Sequence, residues 1–190
     1  MYILCFIVLK VKIFMRFEAL ALNGAWRIWL NPTQDKRGSF TRIFCKETFA
    51  AHGLETDFVQ HNFSTNTHKG TLRGLHYQNT PYEEVKLIHC MRGKICDIVV
   101  DIRRDSKTYL QHIALELDDT TPSLLYVPEG FAHGFLTLTD NAEIHYLINK
   151  PYTPEAEAGI RWNDKALSIN WPDEVKIVSE RDAGFPDWQL

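Results

Sequence analysis

The sequence predicts an all-β protein built as a double-sheet jelly roll. From about residue 24 onward the chain reads as short runs of strand-forming residues, and helical patterns are sparse. Turn signals such as Arg92-Gly93 and Asp140-Asn141 separate these runs, at intervals of roughly 8 to 15 residues that are typical of sandwiches and barrels. A jelly roll that binds its ligand inside the mouth fits this pattern best.

The strand runs are clearest between residues 71 and 148. In chain order they read "TLRGLHYQ", "LIHCMRGKICDIVVDI", "QHIALEL", "SLLYVP", "GFLTL" and "AEIHYLI". Two short segments carry helical signals: "KETFAAHG", in which Gly53 ends the helix, and "PEAEAG", which predicts a single turn. No G-x-G-x-x-G loop follows a strand, which argues against a dinucleotide-binding Rossmann fold.

Length and composition indicate one domain of an ordinary globular protein. The chain has 190 residues, 45% of them hydrophobic and 24% charged, with a formal net charge of -3. Without a basic excess, nucleic acid and anionic membranes are poor candidate partners, and small molecules or a second copy of the chain are better ones. The four cysteines form no C-x-x-C motif, so we expect the reduced thiols of a cytoplasmic protein.

The first residues form the most hydrophobic stretch. Residues 1–9 are apolar, and Lys10 and Lys12 then interrupt the run, which is far shorter than the roughly 20 residues that span a bilayer. The late lysines and the lack of an A-x-A site also argue against a secretory signal. Two alternatives remain, an extra β-strand or residues upstream of a start at Met15. We favour the second and predict an extension over residues 1–14 and a single domain over residues 15–190.

One predicted strand carries an unusual set of polar side chains. In "TLRGLHYQ" the polar positions include Arg73, His76 and Gln78. A lone histidine is more often solvated or structural than catalytic. The interpretation of His76 therefore depends on which other polar side chains the fold brings close to it. In a barrel, the segments "YVPEGFAHGF" and "AEIHYLINKPY" would bring further histidine and tyrosine side chains to the same interior.

These side chains favour acid-base chemistry over metal chemistry. Metal-binding jelly rolls of the cupin type generally use an H-x-H pair, and the chain contains none, so we predict no bound metal. A histidine with an orienting aspartate is a competent base, because an unperturbed imidazole has a pKa of about 6.5. A tyrosine can return a proton on the opposite side of a substrate, and Arg73 or Lys86 could stabilise an enolate. The set suits proton abstraction next to a ketone.

Longer phrases identify a family. "DKRGSF", "FVQHN", "LRGLHYQ", "VKLIHCMRGKICDIVVDIRRDSKTY", "YVPEGFAHGFLTL", "GIRWNDKALSINWP" and "VSERD" occur in this order between about residues 35 and 182. On these phrases the chain resembles the dTDP-4-dehydrorhamnose 3,5-epimerases of nucleotide-deoxysugar synthesis. The resemblance implies a cupin-like double-stranded β-helix jelly roll, a homodimer, a nucleotide-diphosphate sugar as substrate and no cofactor.

The resemblance also assigns roles to residues. It implies that His76 is the base, that Asp182 is its carboxylate partner and that Tyr146 is the acid on the opposite face of the sugar. A 4-keto group acidifies the hydrogens at C3 and C5, so Lys86 and its neighbours would hold the enolate. The positions implied to contact the sugar or the nucleotide diphosphate are Arg37, Phe40, Gln60, Asn62, Arg73, Lys86, His133, Tyr152 and Glu157.

Several positions depart from the family pattern. Ser39 and Arg42 follow the first "RG" phrase where many members have an acidic residue, Lys107 replaces a proline, and Leu147 stands where a lysine often follows the tyrosine. The favoured reaction converts dTDP-4-dehydro-6-deoxy-D-glucose to dTDP-4-dehydro-L-rhamnose. A mono-epimerase that inverts only C3 or only C5 of another nucleotide-linked 4-keto sugar remains an alternative.

Two rival functions share the predicted fold. A jelly roll that only binds a sugar nucleotide would be expected to lose His76, Asp182 or Tyr146, and all three are present. A ketoisomerase that moves the carbonyl between C3 and C4 resembles the chain less, because "RGLHYQ" and "PEGFAHGF" together point to the epimerases.

Overall fold

The computed structural model describes residues 14–189, and its architecture is almost entirely β. Two short α-helices, α1 (Lys46–Ala51) and α2 (Glu180–Ala183), and one 3-10 turn (Pro154–Ala156) accompany the strands of this range. The strands are β1 (Met15–Ala19), β2 (Trp26–Leu30), β3 (Thr33–Asp35), β4 (Gly38–Phe40), β5 (Gln60–Asn66), β6 (Leu72–Gln78), β7 (Lys86–Arg92), β8 (Lys94–Asp101), β9 (His112–Asp118), β10 (Ser123–Val127), β11 (Phe131–Thr137), β12 (Ala142–Ile148) and β13 (Glu157–Gly159).

Two antiparallel sheets pack face to face, which confirms the predicted jelly roll. Within residues 14–189 the larger sheet has the strand order β1-β2-β10-β7-β12-β5 and the smaller one the order β13-β6-β11-β8-β9, while β3 and β4 form a separate hairpin. Ile88, Leu125 and Ile144 of the larger sheet meet Val99 and Phe135 of the smaller one in a buried core. One end of this sandwich stays open and holds the polar side chains described below.

A second apolar layer covers part of the outer face of the larger sheet. Phe49 of α1 is fully buried there against Leu87, Leu124 and Leu147. The helix ends as the sequence predicts, because Gly53 follows with a φ of 68°, a left-handed conformation that glycine adopts without strain.

The predicted strands are confirmed with changes at their ends. The long run at residues 87–102 divides at Gly93, whose φ of 76° forms the turn between β7 and β8. The run predicted from Gly134 begins three residues earlier, at Phe131, so His133 lies within β11. The sequence did not predict α2, β1 or β5.

Residues 1–13 lie outside the described part of the chain. Neither alternative for the opening segment is therefore tested, and the assignment of residues 1–14 as an extension stays a prediction. Among the described residues, no helix has the length and apolar character needed to cross a bilayer.

A close approach between β6 and β11 shapes the open end of the sandwich. A Cβ atom added to Gly74 would lie 2.6 Å from the Cα atom of Gly134, and Gly74 has a φ of 111°. The pairing shifts here, since His133 faces His76 whereas Phe135 faces Arg73. The extra residue in β6 forms a bulge. A regular strand would put residues 73 and 76 on opposite faces, and the bulge lets both face the interior.

A buried carboxylate organises the loop that follows β8. Asp101 is fully buried, and its oxygens accept hydrogen bonds from the Arg103 guanidinium (2.7 and 2.8 Å) and the hydroxyls of Ser106 and Thr108 (both 2.6 Å). Burial by itself raises the pKa of Asp101, but these hydrogen bonds outweigh it and lower the pKa to about 2. The charged form of Asp101 therefore stabilises the fold.

We expect Asp101→Asn to lower the free energy of unfolding by about 2 kcal/mol at pH 7, because it leaves Arg103 without its anionic partner. The folded pKa lies below the ordinary value of 3.8, so the contribution is fully present above about pH 4 and is lost as the pH falls towards 2. Urea unfolding of both proteins across this range checks the prediction. An equal difference in stability at pH 2.5 and pH 7 would contradict it.

Candidate active site

The open end of the sandwich contains a cavity of about 320 Å³ between the two sheets. Strands β5, β6, β7, β11 and β12 contribute its walls, and β13 and α2 lie at its rim. Nine of the predicted site residues line it: Gln60, Asn62, Arg73, His76, Lys86, His133, Tyr146, Tyr152 and Glu157. Within residues 14–189, no group of three His, Cys, Asp or Glu side chains is arranged to hold a metal ion.

His76 and Asp182 form a hydrogen-bonded pair at the wall of this cavity. The Nε2 atom of His76 lies 2.9 Å from Oδ1 of Asp182. The N–H of Gly74 donates to Oδ2 at 2.9 Å, and the N–H of Asp182 donates to the Ser179 hydroxyl that caps α2. Because a carboxylate only accepts, Nε2 carries the proton and Nδ1 offers a lone pair. Asp182 thus fixes the tautomer that a base needs.

The ionisation of Asp182 suits this task. Its burial by itself raises the pKa, but the hydrogen bonds from His76 and Gly74 outweigh this and lower the pKa to about 2. Asp182 therefore keeps its negative charge at every pH at which an enzyme normally works, and it can stabilise an imidazolium formed at His76.

Tyr146 brings a phenol to the same cavity from β12. Burial raises the pKa of this phenol, although the positive charge of Arg73 acts in the opposite direction. The hydroxyl is therefore protonated at neutral pH and can donate a proton.

Lys86 supplies a positive charge on β7. Its Nζ atom lies 2.9 Å from Oε1 of Glu84, and the Nε2 of Gln78 donates to Oε2 of Glu84 at 3.2 Å. Both charged side chains are largely buried, where an ion pair is weakly screened. Glu84 was not predicted, although its position two residues before Lys86 puts both side chains on one face of an extended chain.

A second histidine-carboxylate pair lies on the neighbouring strands. The Nε2 of His133 is 2.6 Å from Oδ1 of Asp97, and Asp97 is fully buried. The sequence analysis missed Asp97. The sequence did carry a signal for this residue, a carboxylate inside the apolar strand "KICDIVVD". A charge buried in such a strand requires a partner.

The rim of the cavity holds a chain of polar contacts. The Tyr152 hydroxyl donates to Oε2 of Glu157 at 2.7 Å, and Nη1 of Arg181 donates to Oε1 of Glu157 at the same distance. Arg181 was not predicted. In the described part of the chain, Arg73 is held by the amide oxygen of Asn66 at 2.8 Å and forms no ion pair, so its charge is available to an anion.

Two predicted contacts lie elsewhere. Arg37 and Phe40 belong to the β3–β4 hairpin and are not among the residues that line the cavity. Phe40 is 65% exposed, and Arg37 pairs with Asp35 at the surface. Within a single chain, the structure therefore does not bring these two residues together with His76.

Comparisons with known proteins identify the family. A family model described as dTDP-4-dehydrorhamnose 3,5-epimerase matches residues 19–189. A protein of that name from Shigella flexneri is 43% identical over 149 residues, which are 78% of this chain and 82% of the relative. Another from Sinorhizobium fredii is 37% identical over 173 residues, or 90% and 89% of the two chains.

The fold agrees as well. The crystal structure of dTDP-4-dehydrorhamnose 3,5-epimerase from Bacillus anthracis with TDP and PPi bound superposes with a TM-score of 0.89 at 36% identity, and the match covers 92% of this chain and 99% of that one. The chain therefore belongs to the dTDP-4-dehydrorhamnose 3,5-epimerase family of isomerases.

Proposed function

We propose that this protein epimerises dTDP-4-dehydro-6-deoxy-D-glucose at C3 and C5 to give dTDP-4-dehydro-L-rhamnose, without a cofactor. The observation that carries the proposal is the presence of a carboxylate-held imidazole and a partly buried phenol in the walls of one cavity. Such a pair can take a proton from one face of a sugar carbon and return one to the other.

The reaction uses the acidity of hydrogens next to a ketone. The Nδ1 atom of His76 takes the proton from the carbon, the electron pair of that C–H bond forms an enolate, and the C4 oxygen becomes an oxyanion. The ammonium group of Lys86 stabilises this oxyanion. The Tyr146 hydroxyl then protonates the opposite face of the carbon, which regenerates the ketone with inverted configuration. The same sequence at the second carbon inverts the second centre.

The nucleotide diphosphate is assigned to the polar rim. Arg73 has an exposed guanidinium without an anionic partner among the described residues, and guanidinium groups bind phosphate oxygens in a bidentate fashion. The bound TDP and PPi of the Bacillus anthracis relative support a thymidine nucleotide here. Gln60, Asn62, Tyr152 and Glu157 surround the same opening and would contact the sugar or the nucleotide.

We further propose a homodimer in the cytoplasm. Strand β5 lies at the edge of the larger sheet. Phe63 within β5 and Val59 just before it are 58% and 56% exposed, as expected of interface residues rather than of a free surface. If Arg37 and Phe40 contact substrate, they reach the cavity of a second copy, because they do not line their own. The free thiols of Cys45, Cys90 and Cys96 fit a reducing compartment.

Incubation with dTDP-4-dehydro-6-deoxy-D-glucose in D2O tests the reaction. We expect deuterium at both C3 and C5 and a product inverted at both carbons, followed by NMR, because each inversion replaces a carbon-bound proton with one from the protein. Deuterium at one position alone would indicate the mono-epimerase. Its absence from both positions would contradict the proposal.

Variants separate the base from the acid. His76→Ala should lower kcat by about 10³-fold and abolish deuterium entry, since general base catalysis typically contributes 10² to 10⁴-fold. Tyr146→Phe should also lower kcat, but deuterium should still enter without inversion, because His76 can remove and return a proton on its own face. His68→Ala changes an exposed histidine outside the cavity and serves as the matched control. Equal loss of inversion and exchange in Tyr146→Phe would contradict the assigned roles.

A mixing experiment tests the dimer. Phe40→Ala and His76→Ala should each have low activity, whereas subunits refolded together should recover about a quarter of the native activity. Half of the dimers would then be mixed, and each mixed dimer would carry one native cavity completed by a native hairpin. Activity equal to the mean of the two variants would show that the hairpin does not act on a second copy.

A further inference from the structure

Arg181 contacts both members of the His76–Asp182 pair. Its Nε atom lies 3.3 Å from Oδ1 of Asp182, and its Nη2 atom lies 3.3 Å from Nε2 of His76. Its third contact is the 2.7 Å ion pair of Nη1 with Glu157. The guanidinium therefore shares one carboxylate oxygen with the imidazole and lies beside the ring nitrogen that bears the proton.

We propose that Arg181 is a positioning residue that keeps His76 in its unprotonated form, so that the base is available at and below neutral pH. The proposal rests on the function assigned to His76 above. A guanidinium keeps its positive charge at every working pH. A positive charge 3.3 Å from an imidazole opposes a second positive charge on the ring. By sharing Oδ1, Arg181 also reduces the negative charge that Asp182 offers to an imidazolium.

Apart from Arg73, the other charged groups near His76 have ionic partners of their own. Asp182 and Arg181 are the two charged side chains within hydrogen-bond distance of the imidazole in the described part of the chain. Other titratable or charged groups also line the cavity. They come from β6, β7, β11, β12 and β13 and from the segments before β7 and β13. They are Arg73, Tyr77, Glu84, Lys86, His133, Tyr146, Tyr152 and Glu157.

Among the described residues, Arg181 is the cation in contact with the imidazole. Arg73 also carries a positive charge in this cavity, but its guanidinium is held by the amide oxygen of Asn66. Lys86 is paired with Glu84, and its contact with His76 is to the backbone oxygen, at 3.5 Å. His133 is paired with Asp97. Glu157 is separated from the ring by Arg181 itself, so loss of the guanidinium would expose His76 to two unneutralised carboxylates.

The alternative role for Arg181 is to bind the diphosphate directly, since it also lines the cavity. The two roles affect different measurements. A phosphate contact contributes to substrate binding and appears in KM, whereas control of the base appears in the pH dependence of kcat/KM and in the titration of the free protein.

The experiment compares the full-length protein with Arg181→Gln and Arg181→Lys. We expect the acid limb of the kcat/KM profile to move to higher pH by about one unit in Arg181→Gln, because two carboxylates then favour the imidazolium. Arg181→Lys, which keeps the charge, should move it by less than half as much. Arg92→Gln is the matched control, because it removes an exposed arginine that does not line the cavity, and its acid limb should be unchanged.

A measurement without substrate separates this proposal from the proposed function. In protein labelled with ¹⁵N-histidine, the pH midpoint of the His76 ring should rise in Arg181→Gln by the same amount as the acid limb, whether or not the native protein turns over a given sugar. An unchanged midpoint overturns the role of Arg181, including the case in which only KM rises. An inactive native protein with a shifted midpoint would overturn the proposed reaction alone.

Discussion

The contact between Gly74 and Gly134 is the constraint on which the site depends. At these two residues β6 and β11 approach so closely that a Cβ atom on either would meet backbone atoms at 2.6 Å. The approach accommodates the extra residue of β6, which turns Arg73 and His76 to one face. It also directs the N–H of Gly74 at the carboxylate of Asp182. A side chain at either position would therefore disturb the base, its partner and a candidate phosphate contact together.

Apart from Arg73, the charged side chains of the cavity are arranged in pairs before any substrate arrives. His76 meets Asp182, His133 meets Asp97, Lys86 meets Glu84, and Arg181 meets Glu157. Pairing allows charged side chains to remain in a largely enclosed space, because an isolated charge there would be costly. It also holds each group in one orientation, so the proposed reaction would need little reorganisation when charge develops on the C4 oxygen.

The sequence predicted the fold well because the β pattern is local. Alternation and turn residues are properties of neighbouring positions, and they identified β6 to β12 and α1. Three features were not predicted from the sequence, because they depend on contacts between distant residues. Asp97 belongs to the site because it pairs with His133, which is 36 positions further along the chain. Arg181 belongs to it because it contacts Glu157 and His76. The orientation of Arg73 towards the cavity depends on a bulge in β6, which the alternation of apolar and polar residues does not reveal.

The environments of His76 and Tyr146 differ in a way that suits the two successive inversions of the proposed reaction. In the proposed mechanism, His76 carries an extra proton and Tyr146 lacks one after the first inversion, so both must exchange protons with solvent before the second. The side chain of His76 is 27% exposed, and the proposed role of the adjacent Arg181 is to favour release of its proton. The Tyr146 phenolate recovers a proton readily, because burial raises the pKa of this phenol. The electrostatic environment that sets the protonation states of His76 and Tyr146 for the first carbon would therefore restore those states for the second.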